Sequence, residues 1–208
     1  MRPKNADSED TWFRIVAAAR HELVDDEQGG IDVSVRSVAQ NAGVSLGTIH
    51  YYFPTKESLL EACLDVYYEA LGKVAGEVME TLQSATRETG RAAIESGLRS
   101  IYRFAIGERA RLRLRATNNA HRGRLHPDRH LHVRGPYLDG FTPMLVRLVD
   151  VDASEVRMTF QTITFVVMQY VLLADVEVEQ IAGKPGEEGR RVLEDHIVRV
   201  GLGALFRS

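Results

Sequence analysis

Apolar side chains recur every three or four residues along most of the chain, which is the spacing of one face of an α-helix. Arginine and leucine alternate over 111–115, as in a strand, but the run is too short to outweigh the helical pattern around it. The pattern therefore predicts an all-α fold of about nine helices. The predicted helices cover 8–26, two short segments between 34 and 53, and then 56–84, 91–106, 107–120, 133–149, 153–174 and 187–206.

The stretch from Ser34 to Lys56 has the start and stop signals of a helix-turn-helix. Ser34 and Ser45 are suitable N-caps, since a hydroxyl accepts from the free amides of a first helical turn. Gly43 lies where the first helix must end, because glycine adopts the left-handed conformation at little cost. Such a pair holds its second helix outward, as in proteins that insert a helix into the DNA major groove. The spacing alone also allows an ordinary helical hairpin.

The segment SVRSVAQNAGVSLGTIHYYFPTKESLL resembles the N-terminal signature of TetR-family transcriptional regulators. The matching elements are VAQNAGVS, GTIHYYF and the KESLL opening of a long helix. The resemblance covers the first third of the chain. It implies a three-helix DNA-binding domain over 1–55 and a larger helical ligand-binding and dimerisation domain over 56–208.

The resemblance also implies that Thr48 and Tyr51 contact phosphates or base edges, and that Lys56 contacts a phosphate. Chemistry adds Arg36, whose guanidinium can bind guanine with two hydrogen bonds, and Leu46, which can touch a thymine methyl. Ser34 and Ser45 are expected to combine capping with phosphate bonds. The complete predicted DNA-binding set is Ser34, Arg36, Ser45, Leu46, Gly47, Thr48, His50, Tyr51 and Lys56.

The net charge of −3 argues against nucleic-acid binding only when it is taken over the whole chain. Residues 33–56 contain no acidic side chain but include Arg36 and Lys56, and Arg2 and Lys4 could form a basic arm. This is a small basic footprint. It favours short DNA contacts from each half of a dimer over a long basic cleft.

The protein is expected to be cytoplasmic, with no membrane partner. The N-terminus has acidic residues where an export signal needs an apolar core. The most apolar run, 160–174, is interrupted by polar side chains, so it predicts a buried helix and not a membrane span. The single cysteine, Cys63, excludes an intrachain disulfide and suits a reducing compartment.

The predicted helix over 153–174 is apolar nearly all round and must be covered on two sides. Together with the helix over 187–206, it is predicted to form half of a four-helix homodimer interface. Pro143 is expected to kink or interrupt the helix over 133–149. The residues predicted to line a pocket for an unknown small-molecule effector, if they do not simply pack the core, are Tyr102, Asn118, His121, Tyr137, Phe141, Met144, Phe165, Met168 and Gln169.

Four of the seven histidines lie between His121 and His132, a segment that also holds the clearest predicted loop, 122–128. A metal-sensing regulator that binds Zn²⁺ or Ni²⁺ through this cluster is the alternative function. Pro127 and the surrounding arginines instead favour exposed histidines without metal. No metal site or cofactor is therefore predicted.

The chain lacks HExxH, a nucleophile elbow, a phosphate-binding loop and paired catalytic carboxylates, so it is not expected to be an enzyme. The resemblance to TetR-family regulators implies a dimeric, ligand-responsive regulator. Repression of a palindromic operator with release by a small molecule is the family expectation, although activators also occur. The helix over 56–84 would belong to both domains. A ligand that tilts its far end would therefore move the DNA-binding motif.

Overall fold

The computed structural model describes residues 6–23, 33–122 and 135–206. Within these ranges every regular element is a helix, which confirms the predicted all-α class. The ten described helices are α1 (Ala6–Glu22), α2 (Val35–Ala42), α3 (Leu46–Tyr52), α4 (Lys56–Ser84), α5 (Arg87–Gly107), α6 (Arg109–Arg122), α7 (Gly135–Leu148), α8 (Ala153–Leu172), α9 (Asp175–Ala182) and α10 (Gly186–Leu205).

Local capping explains where the observed helices depart from the predicted ones. The helix α5 begins at Arg87, four residues before the predicted start, because Thr86 and Thr89 exchange hydrogen bonds in a capping box. The short helix α9 was not predicted. It begins where the Glu177 carboxylate accepts from the Ala174 amide at 2.7 Å, and it ends at Gly183 with φ of 68°.

Pro143 does not interrupt α7, which continues on both sides of it, so an interruption at this proline was a wrong expectation.

The last turn of α7 also supports a neighbouring helix. Arg147 donates to the carbonyl oxygens of Leu82 and Ala85, both at 2.8 Å, near the end of α4. Its guanidinium satisfies backbone acceptors that a helix end leaves open.

The described residues form two compact units. Unit 1 holds the described residues up to Glu69 together with Ala110–His121, and α4 contributes residues to both units. The predicted domain division at 55/56 stays a prediction. The core of unit 1 is formed by apolar side chains from α1, α2, α3, α4 and α6, including Trp12, Ile15, Val16, Val38, Ile49, Leu59, Cys63, Leu64 and Leu114.

Cys63 belongs to this core. Its thiol is fully buried, and burial raises its pKa from 9.0 to about 11, partly offset by the charge of Arg111. The side chain is therefore a neutral packing group at physiological pH.

Unit 2 holds Ala70–Arg109 and the described residues from Arg122 onward. Close helix packing is visible at Gly201 of α10, where an added Cβ would lie 2.8 Å from Leu98 Cδ1 of α5. Ion pairs join the same two helices, since Glu194 accepts from Arg99 at 3.2 Å and from Arg103 at 2.9 Å. The core of unit 2 includes Ala75, Val78, Leu82, Ile94, Phe141, Leu145, Leu148, Val156, Val198, Leu202 and Leu205.

Among the described helices, none has by itself the length and apolarity that a membrane span requires. The pair α8 and α9 meets that requirement only when taken together, and it is bent by 119° at the break between them.

Candidate nucleic-acid interface

The first helix of the motif and its turn have the geometry that the sequence predicts. Ser34 Oγ accepts from the Ser37 amide at 3.3 Å and caps α2. Gly43 ends α2 in the left-handed region, with φ of 64° and ψ of 38°. The Val44 amide then donates to the Ala39 carbonyl at 3.0 Å, which closes the turn.

The second helix is short and depends on its cap and on one buried side chain. Ser45 Oγ accepts from the Thr48 amide at 3.0 Å and lies 2.8 Å from the Thr48 hydroxyl. A seven-residue helix is unstable in isolation, because so few hydrogen bonds cannot offset the cost of nucleation. Ile49 is only 1% exposed and fixes α3 against the core of unit 1.

The two adjacent tyrosines of α3 have different environments. Tyr51 is 80% exposed, whereas Tyr52 is half-buried and its hydroxyl lies 2.8 Å from Ser8 Oγ of α1. The two rings meet edge to face, with centroids 5.3 Å apart. Tyr52 therefore helps to pack α3 on α1, while the Tyr51 phenol projects into solvent.

None of the nine predicted DNA-binding residues is lost to the core. Thr48 and Lys56 are half-buried, and the other seven are exposed. Lys56 is the first residue of α4, which Thr55 and Ser58 cap reciprocally with backbone-to-side-chain bonds of 3.1 and 3.3 Å. Ser34 and Ser45 cap α2 and α3, and the other residues lie on α2, on α3 and at the start of α4. Their contact with DNA stays a prediction.

Two further residues of this region were not found from the sequence. Arg14 and Glu22 of α1 form hydrogen bonds to α2 and to the turn that follows it. Both lie on the polar side of α1, where the apolar spacing of that helix gives no signal. Their partners are 15 to 29 residues away in the chain, so no local pattern identifies them.

The predicted pocket residues have different environments within unit 2. Phe141 is buried in the core, with the half-buried Tyr137 and Met144 packed against the same cluster. Tyr102 is buried, its hydroxyl donates to the Arg190 carbonyl at 3.2 Å, and burial raises its pKa. Phe165 is 51% exposed.

Of the remaining pocket residues, Met168 is half-buried and Gln169 is exposed. The side chains of Asn118 and His121 lie outside the described residues. The predicted pocket therefore stays a prediction. A groove of about 450 Å³ lies elsewhere, in unit 1, and is lined by Arg14, Ala17, Ala18, His21, Asn41 and Ala42.

Several predicted features fall outside the described residues. They are the histidines His126, His130 and His132, the loop at 122–128 beyond Arg122, and the basic arm at Arg2 and Lys4. Within the described part of the chain, no group of three or more histidine, cysteine, aspartate or glutamate side chains could hold a metal ion. The metal-sensor alternative thus depends on a segment that the structure does not describe.

Residues 15–63 match the family model described as bacterial regulatory proteins, tetR family. The chain is 18% identical to a TetR transcriptional regulator from Streptomyces coelicolor of known crystal structure, with 95% of this chain and 99% of that chain covered and a TM-score of 0.50. For a TetR transcriptional regulator from Rhodococcus sp. RHA1, the identity is 16%, the coverage 95% of each chain and the TM-score 0.47. No curated protein matches the chain. The likeness to the Streptomyces structure shows a shared fold.

Proposed function

We propose that this chain is a TetR-family transcriptional regulator that represses transcription by binding a palindromic operator as a homodimer. A small-molecule effector would release it from the DNA. The observation that carries the proposal is the helix α3, which is capped by Ser45, anchored by Ile49 and exposed along its outer side. A short exposed helix on a rigid core is the form in which proteins present side chains to the major groove.

The chemistry of the outer side suits DNA. Tyr51 offers a hydroxyl and a flat apolar ring with little loss of conformational entropy, and Leu46, 41% exposed, offers methyl groups to a thymine. Residues 33–56 contain no carboxylate that would repel phosphate. Lys56, at the positive end of the α4 helix dipole, would bind a phosphate and fix the register of α3.

A dimer is supported by apolar side chains that the single chain leaves exposed. On α8, Met158 is 57% and Phe165 51% exposed, and on α10, Val192 and Val200 are also exposed. Large apolar side chains that lie exposed on one surface commonly mark a site of protein–protein interaction. Within the described part of the chain, no atom lies within 4 Å of a Cβ added at Gly203 of α10, so a second helix could approach closely there. Two copies would place their α3 helices in successive major grooves, ~34–36 Å apart.

The effector is proposed to act through unit 2. On α7, Phe141 belongs to the unit 2 core and Tyr137 and Met144 pack against it, and such aromatic and thioether groups suit a largely apolar molecule. The helix α4 runs unbroken from Lys56 to Ser84. A ligand that moved its C-terminal half would shift Lys56, and with it the motif. No catalytic step is proposed for this chain.

A gel-shift assay with the DNA that flanks the gene of this protein tests the proposal. We expect a discrete complex that Tyr51→Ala and Lys56→Ala abolish without dissociating the dimer. Ile181→Ala and Lys184→Ala are matched controls, since they remove an exposed apolar group and an exposed lysine from unit 2. Retention of full binding by the Tyr51 and Lys56 variants would show that α3 is not the reading helix.

A further inference from the structure

The helix α1 holds α2 at two separate points. Arg14 Nη2 donates to the Ala42 carbonyl at 2.6 Å and to the Gly43 carbonyl at 3.4 Å. Two turns further along α1, a single oxygen of Glu22, Oε1, accepts from Ser37 Oγ and from Asn41 Nδ2, both at 2.7 Å. We call these four bonds the α1 clamp.

The Arg14 end of the clamp acts on the turn. Ala42 is the last residue of α2 and Gly43 is the left-handed residue after it, so their carbonyls have no partner inside the helix. A guanidinium at this position satisfies them and interacts favourably with the negative end of the helix dipole. Because α3 begins at Leu46, only a few residues later, holding these carbonyls also holds the direction in which α3 leaves the turn.

The Glu22 end of the clamp acts on the rotation of α2. Ser37 and Asn41 are four residues apart and therefore lie on one face of the helix. A carboxylate that bonds to both cannot be satisfied if α2 turns about its axis. Arg36, a predicted DNA contact, lies on the same short helix and turns with it, and Ser34, another, is the residue that caps its start.

We propose that Arg14 and Glu22 are positioning residues for DNA reading, which hold α2, the turn and α3 in the orientation that fits the operator. This inference rests on the proposed function. Apolar side chains such as Val38 and Ile49 are buried and keep unit 1 folded. Apolar contact has little directionality, however, whereas a recognition surface must be held to within ~0.5 Å. The polar clamp supplies that directionality.

Removal of Glu22 should change the affinity for the operator in the direction opposite to the one that charge alone predicts. By charge alone, a carboxylate in a DNA-binding unit repels phosphate, so its removal should strengthen binding to any duplex. If Glu22 positions α2, its removal should weaken binding to the operator while binding to unrelated DNA is unchanged or stronger. A residue that only stabilised the fold would affect both duplexes alike.

The experiment uses the full chain and two duplexes of equal length. One is selected by the wild-type protein from a randomised pool, and the other is its scrambled sequence. Affinities are measured by fluorescence anisotropy at several salt concentrations, with the melting temperature of each variant measured in parallel. We expect Glu22→Ala to bind the selected duplex about 10- to 100-fold more weakly, which is the factor that follows if the free energy of these charged hydrogen bonds is needed to hold α2 in the orientation that binds DNA.

Two companion variants separate geometry from charge. Glu22→Gln should bind nearly as the wild type does, because its amide oxygen can still accept from both donors. The double variant Ser37→Ala/Asn41→Ala removes the donors instead and should show the same loss as Glu22→Ala. Combining all three substitutions should add little, since they break the same bonds.

Arg14→Ala should weaken binding to the selected duplex by a similar factor without changing the salt dependence. A fall of about one in the slope of log K against log salt would mean that Arg14 itself contacts a phosphate, which would overturn its assignment. Arg20→Ala is the control for charge, since Arg20 is an exposed arginine on the same helix.

Undiminished binding of the selected duplex by Glu22→Ala would refute the clamp while leaving the proposed function intact. If Glu22→Ala does not fold, the Ser37→Ala/Asn41→Ala variant decides, and wild-type affinity in that variant would equally refute it. A wild-type protein that selects no sequence from the pool would refute the proposed function instead.

Discussion

Substitution of Phe165 by alanine should separate the two halves of the proposed dimer. Phe165 lies on α8 and is 51% exposed in the single chain. Met158, which is 57% exposed, lies two turns earlier on the same face of the helix. Exposure of large apolar side chains to water is unfavourable in free energy. If α8 pairs with the same helix of a second copy, the Phe165 side chain of each copy is buried in the interface.

The size of the effect follows from the area that Phe165 would bury. A phenylalanine side chain can bury about 200 Å², of which the 51% left exposed is about 100 Å². At ~25 cal/mol per Å², burying this area is worth ~2.5 kcal/mol. A two-fold interface contains the residue twice, so Phe165→Ala should cost ~5 kcal/mol, or a dissociation constant ~10³- to 10⁴-fold higher.

Sedimentation equilibrium over a wide concentration range measures this constant directly. Ile181→Ala is the matched control, because Ile181 is 57% exposed on α9, outside the proposed interface. We expect a dimer for the wild type and the control, and a monomer for Phe165→Ala at low micromolar concentration. Dissociation of the control with retention of the Phe165→Ala dimer would place the interface on α9, and a monomeric wild type would refute dimerisation.

Three further predictions test packing, ionisation and metal binding. Gly189→Ala should lower the stability by about 1–3 kcal/mol in a urea titration, because its Cβ would clash with the backbone carbonyl of Lys184 and lie 2.7 Å from Val178 Cγ1, whereas Gly203→Ala should not, since no atom of the described residues lies within 4 Å of its Cβ. Because burial raises the pKa of Cys63 from 9.0 to about 11, the folded chain keeps a proton that the unfolded chain releases, so stability should fall as the pH rises through this window. The fall should be smaller in Cys63→Ala, and an equal fall would refute this cause. Elemental analysis should find no bound zinc or nickel, and a chelator should leave operator binding unchanged; a stoichiometric metal would support the sensor alternative.

The sequence was most informative where structure depends on neighbouring residues. Ser34, Gly43 and Ser45 were predicted as caps and turn from residue type alone, and each has the predicted role. Capping and left-handed turns are decided within three or four residues, so their signals are local.

The sequence was less informative where structure depends on distant residues. The bonds of Arg14 and Glu22 to α2 and its turn connect residues on separate helices, and neither partner has a pattern that points to the other. The helix α9 escaped prediction for a related reason. It is eight residues long and buries only Val178, so its sequence has almost no apolar stripe, and it is defined by the cap at Ala174 and Glu177 and by the stop at Gly183.

The pocket and the dimer interface illustrate the same difficulty in unit 2. A pocket and a dimer interface each need apolar residues in addition to those of the core. Because α8 is apolar on nearly every side, its sequence does not indicate which residues belong to the core, to a pocket or to an interface. Exposure separates them: Val156, Ile163 and Val167 are buried within the unit, whereas Phe165 and Gln169 face solvent in the single chain. We therefore infer that Phe165 and Gln169 belong to the dimer interface. The residues of α8 that would contact an effector are then the half-buried Phe160 and Met168. An effector that bound Phe165→Ala monomers as tightly as wild-type dimers would support this division, since the pocket would then lie within one chain.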